Sequence, residues 1–174
     1  MEHRQAQRRM LICAAFFSFG TICGALTFLD LPFSASEHIW RTVTNFFSIR
    51  PLFLIPAAFS IGPLILLFLG FSAAGLAVSD LVLILFGFTA GFASSAVVRF
   101  SRHCFCSSAF LLIPCVCLVM TGACLRRTSY LVRAQIRSGG LLRPDYGYDA
   151  LRIGSFFCIL LLAALAFSYY LLSL

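Results

Sequence analysis

The sequence has no lysine, only six acidic residues and a single tryptophan, and charged residues make up 11% of its 174 positions. A soluble domain carries about a quarter charged residues. Set against 61% hydrophobic residues and a mean hydropathy of +0.99, that scarcity leaves too little polar surface to cover a water-soluble globule. It also excludes a disordered chain. Collagen-like repeats are absent, and a nucleic-acid-binding domain does not fit despite the net charge of +7. What is abundant is Phe, at 20 residues. The composition therefore predicts a membrane protein that crosses more than once. All 13 basic residues are arginines, which suggests a GC-rich genome. In a membrane protein such an excess records topology and contact with anionic lipid headgroups.

A span needs about 20 mostly apolar residues to cross ~30 Å of hydrocarbon. Residues 10–29 carry no charge and are followed by Asp30 and Pro32. The run 51–98 is interrupted only by Asp80. As one helix it would measure roughly 72 Å, which suits two crossings and a short turn. The turn is expected near Phe71–Asp80, where Gly75, Ser79 and Asp80 gather. The expected fold is an all-α, polytopic transmembrane bundle in one domain, with spans at about 10–29, 51–70, 81–98, 104–125 and 153–172. An outer loop covers 31–50 and a cytoplasmic loop 126–152. The apolar run at 10–29 exceeds a 7–15-residue signal-peptide core, and it reads as a retained anchor.

Arginine placement predicts N-in, C-out. That orientation puts nine arginines inside (Arg4, Arg8, Arg9, Arg126, Arg127, Arg133, Arg137, Arg143 and Arg152) and four outside (Arg41, Arg50, Arg99 and Arg102). In the outer loop, Ser34-Ala35-Ser36-Glu37 has capping-box spacing and predicts a helix start. Beyond it Ile39, Trp40, Val43, Phe46 and Phe47 share a helical face, opposite His38, Arg41, Thr42, Asn45 and Ser48. This pattern predicts a short amphipathic helix lying in the interface. It serves either as a docking surface for an extracytoplasmic partner or as a lipid-parked connector. In the inner loop the fourth helix is expected to continue through Tyr130, Val132 and Ile136 until Gly139-Gly140 stops it. A new start is expected at Pro144-Asp145, with Tyr146 and Tyr148 at headgroup depth.

Reactive constellations are wanting. The eight cysteines include His103-Cys104-x-Cys106 and Cys115-x-Cys117, but five thiols strung from Cys104 to Cys124 along one span do not converge as a zinc site requires. Packing is the simpler use for them. Asp80 is the sole candidate for an ionised group within a span, expected at the cytoplasmic turn. Ser60, Ser94 and Ser95 have no buried base to activate them. No catalytic residue, cofactor or metal ligand is predicted. Helix-packing motifs are present instead: Gly20-x-x-x-Gly24 in the first span and Gly87-x-x-x-Gly91, prolonged by Ser95, in the third. Packing within the chain is the default reading, and a partner's helix is the alternative. Pro56, Pro63 and Pro114 are expected to bend their helices.

Five spans in a chain of this length, with Phe19-Gly-Thr-Ile-Cys-Gly-Ala25, Phe68-Leu-Gly-Phe-Ser-Ala-Ala-Gly75 and Phe86-Gly-Phe-Thr-Ala-Gly-Phe92, resemble the stage II sporulation protein M family, in its short clostridial form. The sequence lacks the His-Gly-x-Glu element of the wider, non-sporulation branch. The resemblance implies a non-enzymatic scaffold in the bacterial cell membrane. Such a scaffold holds peptidoglycan hydrolases, an amidase and a lytic transglycosylase, at the septum during engulfment. The rival readings are a membrane subunit of a small-solute transporter, of the substrate-binding component type, and a membrane-embedded enzyme. A transporter subunit would usually show six spans and polar residues converging at the midplane.

Overall fold

The computed structural model describes residues 2–70, 75–100, 104–139 and 147–172. A backbone in lipid must satisfy its own hydrogen-bonding groups, and the apolar runs do so as helices. Six are present among the described residues: α1 (Glu2–Leu29), α2 (Phe33–Ile49), α3 (Pro51–Gly70), α4 (Gly75–Phe100), α5 (Cys104–Arg137) and α6 (Gly147–Leu172). Among the described residues four segments are long and apolar enough to cross a membrane: Gln5–Leu29, Ala77–Phe100, Leu112–Arg137 and Asp149–Ala166. The bent pair Phe33–Ser48 and Leu52–Leu66, angled at 116°, makes a fifth if it counts as one span. The protein is therefore all-α, with the character of a multi-pass membrane protein.

Contacts fix the relative directions of the helices. Gly20 and Gly24 of α1 meet Ile84 and Phe88 of α4, while Gly87 and Gly91 meet Phe17 and Thr21. Both sets rise together, so α1 and α4 run parallel. Gly62 of α3 faces Phe86 and Leu118, and Gly122 of α5 faces Leu83. Asp80 reaches Arg126, and Asp149 of α6 reaches Arg127. Helices α1, α3, α4, α5 and α6 thus alternate in direction. Their shared core is built from Cys13, Leu66, Val82, Leu83, Leu118, Leu125 and Ile153. Most of the remaining bulk points outward, including Phe19, Ile22, Leu26 and Leu29 on α1.

Local chemistry explains the helix ends and corrects two expectations. The third span does not begin at 81. Helix α4 starts at Gly75, so Ser79 and Asp80 lie within its opening turns, and residues 71–74 of the expected turn lie outside the described residues. Leu76, Ala77 and Val78 extend the apolar run inward, and Asp80 is held inside the helix by an arginine partner on α5. The Ser34–Glu37 pair does not cap α2 either. Pro32, at φ −54° and ψ 145°, is the N-cap, with no side-chain cap bond. The ring sets the extended turn and the Pro32 carbonyl accepts from the Ser36 amide at 3.0 Å. Glu37 instead pairs with Arg41 at 2.7 Å, one turn along.

Helix α5 does run past the expected span to Arg137. It stops where Gly139 adopts φ +62°, a left-handed conformation that glycine takes without strain. The Gly139 amide donates back to Ile136 at 3.2 Å. Pro56 and Pro63 lie inside α3 and Pro114 inside α5. The expected restart at Pro144-Asp145, with Tyr146, lies outside the described residues, as do His103 and the side chains of Cys104, Cys106 and Tyr148.

Candidate functional site

Two features organise the bundle. Gly20, Gly24, Gly87 and Gly91 are all buried and lie on one α1–α4 seam. A Cβ at Gly20 would press into the Ile84 carbonyl oxygen, and one at Gly24 into that of Phe88. On the other side, Gly87 lies against the Phe17 carbonyl and Gly91 against that of Thr21. Each motif therefore makes room for the other helix's backbone. Such an approach favours Cα–H···O contacts and close van der Waals packing, the forces left to helices in lipid. Ser95 sits half-buried a turn further along α4. The glycine faces are occupied by each other.

The second feature was missed. Arg126 and Arg127 are neighbours on α5 and reach in different directions. Arg126 clasps Asp80 of α4 with two bonds: its Nε donates to Oδ1 at 3.0 Å and its Nη2 to Oδ2. Both side chains are largely enclosed, at 13% and 19% exposure. The Arg126 guanidinium also lies over the Phe16 ring of α1, 5.9 Å from its centre. Arg127 donates from Nη1 to Oδ1 of Asp149 on α6 at 3.1 Å. Asp149 is buried, and its Oδ2 has no hydrogen-bond partner among the described residues. The two arginines thus join α5 to α1, α4 and α6 at the end of the bundle where α1 and α6 begin. Two of the six arginines in the expected cytoplasmic loop are thus tied to aspartates. The available signal was charge balance: an aspartate inside a span requires a cationic partner.

At the opposite end an aromatic cluster seats α2. Phe28 meets Phe92 and Phe100 edge-on, with ring centres 4.9 and 6.3 Å apart. Trp40 stacks on Phe100 at 6.0 Å, and Arg99 lies over Phe33 at 5.1 Å. Of the five residues expected to form the apolar face of α2, Ile39, Trp40 and Phe47 are half-buried. Val43 and Phe46 are exposed, at 43% and 55%.

Comparison with known families, curated proteins and solved structures finds no match.

Several hydroxyls are directed at the helices' own backbone. Thr121 donates to the Cys117 carbonyl at 2.7 Å, Thr128 to Cys124 at 3.2 Å and Ser168 to Ala164 at 2.8 Å. Ser60 donates to Pro56 at 2.6 Å, within the helix that carries both prolines. Cys13 and Cys117 are buried free thiols, and Cys158 is exposed. Among the described residues no three metal-ligating side chains gather. The arrangement can hold helices together and present surfaces at each end.

Proposed function

We propose that this protein is a non-enzymatic membrane scaffold, spanning the bilayer five times with its N-terminus in the cytoplasm. The observation that carries the reading is where its polar and small residues are engaged. The glycine seam is closed within the chain, and both inner aspartates are engaged by arginines of α5. What remains outward is an apolar perimeter and the far half of α2. Parallel packing of α1 and α4 supports the fifth crossing, because the chain must return across the membrane between them and α3 is the helix available. The positive-inside bias supports the orientation: Arg8, Arg9, Arg126, Arg127, Arg133, Arg137 and Arg152 share one end, against Arg41, Arg50 and Arg99 at the other.

The resemblance to the stage II sporulation protein M family narrows the proposal to engulfment, with an amidase and a lytic transglycosylase as extracytoplasmic partners. Helix α2 is then the docking element, through Val43 and Phe46. Affinity purification of the tagged protein from sporulating cells tests this directly. Recovery of both hydrolases, lost on Val43→Asp/Phe46→Asp, is the expected result. Recovery of an energising ATPase pair in their place would overturn the scaffold in favour of a transporter subunit.

A further inference from the structure

The far half of α2 combines an exposed apolar face with a polar face that carries no net charge. Ile39 and Trp40 are half-buried against the bundle, whereas Val43 and Phe46 are exposed. Phe46 sits edge-on to Phe47, with ring centres 5.6 Å apart, so the two rings form one broad wedge. Between 33 and 49 there is one carboxylate, Glu37, and one guanidinium, Arg41, and they pair with each other at 2.7 Å. The hydroxyls of Thr42, Thr44 and Ser48 donate to carbonyls of α2 itself, those of His38, Trp40 and Asn45, at 2.9, 2.9 and 2.8 Å. What surrounds the wedge follows from where α2 is tied. Asp30 closes the apolar run of α1, Arg50 precedes α3 and Arg99 lies in the last turn of α4, and all three are exposed. Charges at the ends of apolar helices mark the membrane surface. Beside them Leu52, Phe53 and Val98 face outward as a lipid-facing band. A bend of 116° lays α2 across α3, so its apolar face is held at headgroup depth.

We propose that the far half of α2 is a lipid-packing sensor, whose Val43 and Phe46 enter gaps between the headgroups of the adjoining leaflet. An interfacial helix rich in Lys and Arg is drawn to anionic lipid, whereas one without net charge binds by the apolar area it buries. Bulky rings can be buried only where headgroups part. Such gaps multiply on convex membrane and close where lipids pack tightly. The occupant is therefore loosely packed lipid, charged or not. The inference rests on the membrane reading and bears on the docking surface proposed above, because a partner reaching Val43 and Phe46 must displace lipid there. It does not depend on which side this end faces.

The test uses the full-length protein in phosphatidylcholine vesicles, with Val43→Cys on a cysteine-free background as the reporter. A membrane-impermeant, environment-sensitive maleimide labels the molecules whose α2 faces out. In small, highly curved vesicles the label's emission is expected to be blue-shifted, and in large vesicles of the same lipid to lie closer to its value in water. Adding Phe46→Ser should lower the insertion equilibrium in small vesicles by about 10-fold. Exchanging part of the phosphatidylcholine for phosphatidylglycerol at one vesicle size should leave the emission unchanged. Trp40 emission, read before labelling, shows that α2 is still seated in each variant. Equal emission in small and large vesicles would overturn the sensor, as would a blue shift that follows phosphatidylglycerol content. Water-like emission in every vesicle would also overturn it, in favour of a surface for protein alone. None of these results alters the recovery of hydrolases, and recovery of an ATPase pair would leave the lipid response standing.

Discussion

At the scale of single residues, the glycines divide into those that meet a backbone and those that meet nothing. A Cβ at Gly91 presses into the Thr21 carbonyl, and that atom belongs to a helix and cannot swing aside. A Cβ at Gly154 on α6 meets no atom within 4 Å. Gly91→Ala should therefore destabilise the bundle by about 1–3 kcal/mol. Gly154→Ala should be neutral or stabilise by up to about 1 kcal/mol through helix propensity. Thermal unfolding in detergent compares the two, and equal midpoints would refute the seam. Asp80 is the second decisive residue. Asp80→Asn leaves Arg126 enclosed without its counter-charge and should cost about 3–5 kcal/mol. Exchanging the charges, Asp80→Arg/Arg126→Asp, should recover part of that loss in the same measurement. The glycine spacing showed which face of each helix was small. It could not show that the two faces meet, because spacing fixes a face and not its partner. The Asp80–Arg126 pair lies 46 positions apart and was hidden for the same reason.

At the scale of elements, hydropathy located the long apolar helices because the bilayer imposes a length, and no comparable rule sets helix ends. The ends were decided by local backbone chemistry: Pro32 before α2, Gly139 after α5. The serine and glutamate at 34 and 37 match a capping spacing, yet proline had already set the turn. Helix α2 is attached chiefly through its first half, where Ser36 is buried and Trp40 stacks on Phe100. Trp40 is the sole tryptophan, so its emission reports this attachment without interference. Phe100→Ala should shift that emission to the red and cost about 0.5–1.5 kcal/mol beyond the lost area. An unshifted spectrum would mean that α2 is seated by other contacts. Phe46→Ala, at the far end of α2, should leave the emission unchanged.

At the scale of the whole molecule, the alternating helices sort the charge. The N-terminus of α1, the C-terminus of α5 and the N-terminus of α6 share one end, which brings Arg8 and Arg9 together with Arg126 to Arg137 and Arg152 although they are far apart in sequence. The positive-inside tendency is the ground for proposing that this end faces the cytoplasm. The same parity makes the reach of α3 decisive: if α3 failed to cross, α1 and α4 would enter from opposite faces and could not pack in parallel. Single cysteines on a cysteine-free background read both statements. Arg137→Cys should react with a membrane-impermeant maleimide only after the membrane is opened. Arg41→Cys should react in intact cells, and Arg99→Cys, at the end of α4, should behave like Arg41→Cys. Labelling of Arg137→Cys from outside would invert the orientation and leave the bundle intact. Labelling of Arg41→Cys and Arg99→Cys from opposite faces would remove the fifth crossing, and with it the geometry that lets the two glycine motifs meet.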